Sequence, residues 1–344
     1  MASDNLIAKI IKADLRGSGG ASFPVAIKWR AVKNSVAKNK KASYYIIINA
    51  AEGEPGVKKD AYILEHHANL VLEGVKASAI ALGFKQLAGI YCFINHEYYK
   101  LYAKKINKLL DDHQFLSLKV FWHWTLKPKV LSYLCGEETV LLNVIEGHRH
   151  EPRLKPPFPV SHGLFGLPTL INNVETFYSV ALVANGTYDA KRFYTINGEV
   201  PRPGIYHLPN NWNIEDILRL TGNWPLYKFF VQVGGDVSGE VLNSTQLKRL
   251  VSGSGSITIY SWFDHNKEEM IGRWLKFFKD NSCGKCTPCR EGTYRLLELF
   301  EAKKTYSPEF WDILELLKEG SFCAYGKSIP LPLSSYYKNI IKIN

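Results

Sequence analysis

The stretch S43-Y-Y-I-I-I-N-A-A-E-G-E-P-G56 joins a short, β-rich apolar run to a loop of small residues that carries two carboxylates, Glu52 and Glu54. The apolar part is short enough for a buried strand. From Asp60 to Gly83 the pattern turns helical, with Ile63, Leu64, Leu70, Val71, Val75 and Ile80 on one side and a glycine at the end. G89-I-Y-C-F-I94 is a second strand, and a helical pattern follows to about Leu110. Strand alternating with helix predicts an α/β layer with a largely parallel sheet. Open sheets of this kind bind ligands beyond the carboxyl ends of their strands, and N49-A-A-E-G-E-P-G56 occupies such a place. The domain continues through I171-N-N-V-E-T-F-Y-S-V-A-L-V183, which reads as helix.

At 344 residues the chain exceeds one ordinary domain, and two or three are expected. An apolar content of 46% supports packed cores and argues against disorder. The net charge of +11 raises the question of nucleic acid, but the lysines are dispersed and the densest cluster, K38-N-K-K41, is short. No helix-turn-helix, zinc-finger or RNA-binding signature accompanies them, so a solvated basic face, or attraction to anionic cofactors and acidic partner subunits, accounts for the charge better than nucleic acid. The N-terminal residues lack the apolar core of a signal peptide, and Y44-Y-I-I-I-N-A-A51 is too short to span a bilayer. The expectation is a soluble cytoplasmic protein, in which clustered cysteines mean metal or redox chemistry rather than disulfides.

The texture changes near Lys191. F193-Y-T-I-N-G-E-V-P-R-P-G-I-Y-H-L208 reads as two short strands around a turn, I214-E-D-I-L-R-L220 as a short helix, and F229-F-V-Q-V233 as another strand. Together they predict a small α+β unit. S252-G-S-G-S256 has the composition of a linker and equally fits a glycine turn entering a strand at Ile257. From about Lys267 apolar residues recur at helical spacing: Met270, Trp274, Phe277 and Phe278, then Tyr294, Leu296, Leu297 and Phe300, then Phe310, Ile313, Leu314 and Leu317.

Between two of those helical patterns lies N281-S-C-G-K-C-T-P-C-R-E-G292, and Cys323 follows in S-F-C-A-Y-G. Three cysteines at two-residue intervals with a distant fourth, Cys283, Cys286, Cys289 and Cys323, form a frequent ligand pattern for a [4Fe–4S] cluster. A four-thiolate zinc site, which usually pairs two C-x2-C units, and unrelated buried thiols are the alternatives. Cys92, inside an apolar strand pattern, reads as core. R16-G-S-G-G-A-S-F-P-V-A-I-K-W29 puts three glycines before Phe23 and Lys28, a composition that lets backbone N–H groups approach a phosphate or simply makes a turn. The paired acids Glu52 and Glu54, like Glu137 and Glu138 in C135-G-E-E-T139, suit metal chelation, acid–base work, sugar hydroxyls or a solvated turn.

Taken with Y133-L-C-G-E-E-T139, E-P-R-L-K-P-P-F-P from Glu151 and P-T-L-I-N-N-V-E-T ending at Thr176, these motifs stand in one order from residue 16 to beyond 323. In that order the chain resembles the flavin-carrying F subunit of NADH:quinone oxidoreductase (complex I) and its relatives in NAD-linked hydrogenases and formate dehydrogenases. The resemblance implies a Rossmann-like FMN- and NADH-binding α/β domain over residues 1–187. It further implies a small ubiquitin-like (β-grasp, SLBB-type) domain over 188–262, with S252-G-S-G-S256 a turn into a strand rather than a linker, and a helical [4Fe–4S]-binding bundle over 263–344. By the same resemblance Gly17, Gly19, Gly20, Lys28, Asn49, Asn172, Asn173 and Thr176 contact FMN. Phe23 and Phe158 sandwich the adenine end of NADH, and Glu52, Glu54, Tyr133, Glu137 and Glu138 make its polar contacts. Carboxylates there bond ribose hydroxyls and repel a 2′-phosphate, favouring NADH over NADPH. The implied activity is NADH oxidation by hydride transfer to FMN, with electrons passed singly to the cluster and no side chain acting as nucleophile or general acid. The implied partners are a thioredoxin-like [2Fe–2S] subunit and a multi-cluster iron–sulfur subunit, and membrane contact comes only through the larger complex. The chain departs from the family's usual residues at Ser18, Ser22, Val25, Ala26 and Ala51, which keeps a second reading in view: a flavin-poor, catalytically silent subunit of such a complex.

Overall fold

The computed structural model describes residues 2–38 and 43–342, so of the K38-N-K-K41 cluster only Lys38 lies within the described residues. The chain divides into two compact units. The first comprises Met1–Glu52, Lys58–Lys129 and Cys135–Phe193, and the second Gly53–Val57, Val130–Leu134 and Tyr194–Asn344.

In the first unit, helices α1 (Ala2–Lys12) and α2 (Val25–Lys38) precede strand β1 (Tyr44–Ala50). Helices α3 (Lys59–His66) and α4 (Ala68–Leu82) lead to β2 (Leu87–Ile94), and α5 (His96–Leu110) and the single turn α6 (Leu116–Lys119) lead to β3 (Trp122–Leu126). Helix α7 (Glu138–Ile145), strand β4 (Thr169–Asn173) and helix α8 (Val174–Asn185) complete it. The four strands lie in the order β3-β2-β1-β4 and all pair in parallel. In that register Ile47 lies between Tyr91 and Ile171, and Asn49 between Phe93 and Asn173. Apolarity on both faces of β1, with Tyr44, Ile46, Ile47, Ile48 and Ala50 all buried, is what a central parallel strand covered by helices requires. Cys92 is buried in β2, as its apolar setting predicts. Helices α4 and α8 pack so closely at Gly74 that a Cβ there would lie 1.9 Å from the Phe177 carbonyl oxygen.

Two sequence expectations fail here for identifiable reasons. The helical pattern from Asp60 to Gly83 is two helices, because the backbone turns at His67 (φ −134°, ψ 25°), and Ile80 is 51% exposed rather than on the buried side. Ile171, Asn172 and Asn173 belong to strand β4, paired with β1. The helix starts only at Val174, because the Asn173 side chain accepts from the Glu175 N–H and caps it.

The second unit holds a five-stranded sheet of β5 (Lys191–Gly198), β6 (Gly204–Pro209), β7 (Phe229–Val233), β8 (Glu240–Asn243) and β9 (Ser256–Ser261) in the order β6-β5-β9-β7-β8. Strand β9 runs parallel to β5 and antiparallel to β7, giving a mixed sheet. Helix α9 (Ile214–Leu220) buries Ile214, Ile217 and Leu218 in one core with Ile196, Val231, Ile257 and Ile259. S252-G-S-G-S256 is the turn into β9, with Gly253 and Gly255 at positive φ, and not a linker.

Helices α10 (Lys267–Asp280), α11 (Thr287–Glu301), α12 (Pro308–Gly320), α13 (Ala324–Ser328) and α14 (Pro330–Tyr336) follow. Trp274, Phe278, Phe310 and Tyr336 are fully buried among them, whereas Tyr294 is 57% exposed and lies off the apolar stripe assigned to it. Among the described residues no helix is long and apolar enough to cross a membrane.

Candidate functional site

The glycine loop is closed by its own backbone. Gly17 N–H donates to the Phe23 carbonyl at 2.9 Å and Val25 N–H to Leu15 at 3.0 Å, which brings the chain round into α2. The loop is tied to the start of α8 by Ser18 N–H, which donates to Thr176 Oγ1 at 3.0 Å. Gly19 lies against Asn173, and Gly20 sits at φ +104° with open space where a side chain would stand. Ser22 is at φ +51°, in the left-handed region where a glycine is preferred. Phe23 is 48% exposed. Lys28, on the first turn of α2, donates to the Ile171 carbonyl at 3.0 Å and lies 3.5 Å from Glu138.

The three asparagines at the carboxyl ends of β1 and β4 do different things. Asn49 is engaged at both side-chain atoms, accepting from Ala51 N–H and donating to the Gly136 carbonyl. Asn173 is saturated: Oδ1 accepts from Lys59 and from Glu175 N–H, and Nδ2 donates to Asp60 and to the Asn49 carbonyl. Asn172 Nδ2 is buried with no hydrogen-bond partner. A buried donor left unpaired costs about 1–3 kcal/mol, and a ligand acceptor would relieve it. An orphaned amide beside a tied-down loop of small residues at the carboxyl edge of a parallel sheet fits a flavin phosphate and ring.

Beneath this edge lies a buried ionic cluster of Glu52, Lys59, Asp60 and Glu175, residues that stand in or just after the stretches carrying the resemblance but whose pairing the sequence does not disclose. Lys59, 3% exposed, pairs with Asp60 at 2.6 Å and with Glu175 at 3.2 Å. Burial alone would lower the Lys59 pKa, and Asp60, Glu175 and Glu52 more than reverse it. Glu52 faces inward, accepting from Asp60 N–H, Ala61 N–H and the Tyr98 hydroxyl. Burial, aided by Asp60, pushes Glu52 up to about 7. Three carboxylates share one lysine, so the cluster retains a proton near neutrality.

A second polar group gathers around α7. Glu137 caps that helix, its Oε2 accepting from Thr139 N–H and Val140 N–H. Lys155 bridges Glu137 Oε1 at 2.8 Å and Glu138 Oε1 at 3.1 Å. Burial works to raise the Glu138 pKa, but Lys28 and Lys155 outweigh it and hold the carboxyl below its ordinary value. Arg153 fixes the loop that carries Lys155 by donating to Asn143, Glu146 and the Gly163 carbonyl. Phe158, on the same loop, is 52% exposed. Lys155 and Arg153 stand in the E-P-R-L-K-P-P-F-P stretch, but their roles depend on partners that sequence does not name.

Glu54 and Tyr133 belong to the second unit. Glu54 accepts from Val237 N–H at 2.8 Å, from Ser238 N–H at 3.2 Å and from Ser238 Oγ at 2.8 Å. Burial raises its pKa against these bonds and one from Tyr133. Tyr133 also packs its ring on Phe277 and Tyr325. Val237 and Ser238 stand in no stretch that the sequence singled out.

The cysteines converge in this unit. Cys286 immediately precedes α11, Cys289 lies in its first turn, and Cys323 immediately precedes α13. The run therefore enters a helix rather than lying wholly between two. Cys283, Cys286 and Cys323 all act electrostatically on Cys289, whose thiol burial pushes up to about 12. Gly326 brings the Cys323 turn against Cys289, where an added Cβ would lie 3.4 Å from the Cys289 Cβ. Among the described residues no group of His, Cys, Asp or Glu is drawn tight enough for a single metal ion. Three cysteines at two-residue intervals on the entry to α11, with the Cys323 turn folded against Cys289, fit the ligand set of a [4Fe–4S] cluster.

Comparison with known proteins agrees with this geometry. The family described as Nuo51 FMN-binding domain matches residues 10–182, and the NADH-ubiquinone oxidoreductase-F iron-sulfur binding region matches residues 269–340. The F 2 subunit of NADH-quinone oxidoreductase from Rhizobium meliloti (strain 1021) is 32% identical over 98% of this chain and 87% of its own length. The F subunit of NADH-quinone oxidoreductase from Streptomyces coelicolor (strain ATCC BAA-471 / A3(2) / M145) is 31% identical over 98% of this chain and 82% of its own. A crystal structure of NAD+-reducing [NiFe]-hydrogenase in the H2-reduced state superposes with a TM-score of 0.87 at 28% identity, covering 99% of this chain, which spans 62% of that chain's length. The chain belongs to the NADH-quinone oxidoreductase F-subunit family, and carries both its FMN-binding and its iron–sulfur-binding regions.

Proposed function

We propose that this chain is the electron-input subunit of an NADH:quinone oxidoreductase or related complex, oxidising NADH and delivering electrons one at a time to a [4Fe–4S] cluster. The observation that carries the reading is the orphaned Asn172 amide beside the tied glycine loop, in the same chain as four converging cysteines. When bound, FMN takes a hydride from NADH and gives up its electrons singly, and the cluster relays them.

The residues of the chain do the rest. Gly19 and Gly20 present backbone N–H groups to a phosphate, while Gly17, its own N–H closed onto the Phe23 carbonyl, keeps the turn tight, with Thr176 fixing the loop through Ser18 and Lys28 adding positive charge. Asn172 donates its free amide to the flavin, while Asn49 and Asn173 hold the strand ends in register and contact it through their backbones. Phe23 and Phe158 offer exposed ring faces for adenine. Glu137 and Glu138 are pre-paired with Lys155, and a sugar hydroxyl that displaces the lysine finds two carboxylates already oriented. Glu52 and Glu54, bonded inward, supply negative potential and fix the backbone of the acidic loop, with Tyr133 steadying Glu54. Cys283, Cys286, Cys289 and Cys323 are the iron ligands.

The strand order second-first-fifth-third-fourth around one helix supports a ubiquitin-like reading of residues 188–262, between a Rossmann-like domain over 1–187 and a helical cluster domain over 263–344. The partners this function requires are one-electron acceptors, a thioredoxin-like [2Fe–2S] subunit and a multi-cluster subunit, with any membrane contact made through them.

Anaerobic purification followed by visible spectra tests the reading. Released FMN, about four irons per chain and bleaching of the flavin band by NADH are expected. Iron–sulfur absorbance without FMN or NADH response would replace it with the flavin-poor, silent subunit.

A further inference from the structure

Lys127 follows strand β3 directly, at the carboxyl edge of the parallel sheet, and its backbone N–H donates to the Ile94 carbonyl at 2.7 Å at the end of β2. Its side chain is 5% exposed. The ammonium reaches past β2 to the residue after β1, where Nζ donates to the Ala51 carbonyl at 2.7 Å. That is one bond for three donors, and among the described residues Lys127 has no carboxylate within ion-pair distance. Burial lowers its pKa from the ordinary lysine value, and the titratable groups facing it, Cys135 and Glu52, offset this only in part. The Cys135 thiol is buried and raised to about 11, so it is neutral at physiological pH. Glu52 is already bonded to Asp60 N–H, Ala61 N–H and Tyr98, and position 51 is an alanine with no acceptor of its own. A buried ammonium without a counter-ion costs several kcal/mol, and such a charge persists where a bound anion offsets it.

We propose that Lys127 is the fixed counter-charge for the electron-rich ring of the bound flavin and raises its reduction potential. This rests on the reading that FMN binds at the carboxyl ends of β1 and β4. Two-electron reduction by hydride leaves negative charge on an isoalloxazine ring. A cation held in the same low-dielectric pocket stabilises the reduced form over the oxidised one. Lys127 therefore acts on the equilibrium of electron transfer without touching the transferred hydride.

The test is spectroelectrochemical titration of FMN in the full-length chain, comparing wild type with Lys127→Gln, which retains a donor for the Ala51 carbonyl, and Lys127→Arg, which retains the charge. The expected result is that Lys127→Gln loses about tenfold in the preference for reduced over oxidised FMN, equivalent to about 30 mV for a two-electron couple. Lys127→Arg stays near wild type. Sulfite gives an independent readout on wild type alone: its sulfur lone pair bonds to flavin N5, the ring takes up the charge as an anion, and a nearby cation favours the bleached adduct. Equal potentials in wild type and Lys127→Gln with FMN bound, or a wild-type flavin that sulfite does not bleach, would overturn the proposal alone. A wild-type chain that binds no FMN would instead overturn the flavin reading on which it rests.

Discussion

Ser22 stands at φ +51°, where the Cβ of an L-residue crowds the following carbonyl at a cost of about 1–2 kcal/mol. Ser22→Gly relieves that crowding and loses part of the gain to the freer unfolded chain, so a net stabilisation below about 1 kcal/mol is expected as a raised urea midpoint. Arg16, which donates to the Ser22 carbonyl, keeps its partner in that variant. Glu52 makes a pH prediction. Its folded-state pKa, about 7, lies above its ordinary value of 4.5, so the fold favours the protonated form. The Glu52 contribution is fully present below pH 4.5 and is lost as pH rises through 7. In Glu52→Gln that part of the decline should vanish, and urea midpoints at pH 5 and pH 8 for the two proteins check it. Identical pH dependence in both would refute a proton held at Glu52. At this scale the sequence disclosed residue types better than orientations. Glu52 and Glu54 read as carboxylates on an open loop, but burial turns each toward backbone N–H groups that no motif announces.

Strands β1 and β2 were legible because covered parallel strands are apolar on both faces, and α5 because its buried positions keep helical spacing. Strand β3, W-H-W-T-L, was missed: as an edge strand it is only partly buried and carries a histidine, so it lacks a continuous apolar run. Strand β4 was absorbed into α8 because no loop separates them and Asn173 ends one element while capping the next. That junction depends on the start of α3, where the K59-D60 pair follows the acidic motif in sequence but takes its role only from packing. Lys59 there clamps Asn173 and neutralises Asp60 and Glu175. Lys59→Met leaves two buried carboxylates without their cation, which costs about 3–5 kcal/mol. The same change frees Asn173 and loosens the strand end next to Asn172, so FMN affinity falls with stability. Urea denaturation and FMN release measured together check both effects, and Lys59→Arg should recover part of each. A Lys59→Met protein as stable as wild type would show that the cluster is not a structural tie.

Over the whole molecule, the motifs lie far apart in sequence and gather only through topology. Residues 17–20 meet Thr176 because α2 and α8 flank the same parallel sheet, and Cys323 meets Cys289 because the chain turns back after α12. Spacing alone announced three cysteines as a ligand set and named a distant fourth, but it gave no account of the buried glycine contact that brings the fourth into place. The residues proposed for FMN and those proposed for the cluster each lie within a single compact unit, so linkage predicts local effects. Cluster assembly must remove the proton from the buried Cys289 thiol, and the metal–thiolate bonds then become part of the folding free energy of that unit. Amide hydrogen exchange on the full chain reads this directly. Removing iron should speed exchange along Cys283–Cys289 and α13, and removing FMN should speed exchange along residues 17–20 and at the junction of β4 with α8. The two sets of amides should respond to their own ligand alone. Protection along Cys283–Cys289 that is indifferent to iron would mean that packing, not metal, holds the cysteines together, and the one-electron relay would lose its structural basis.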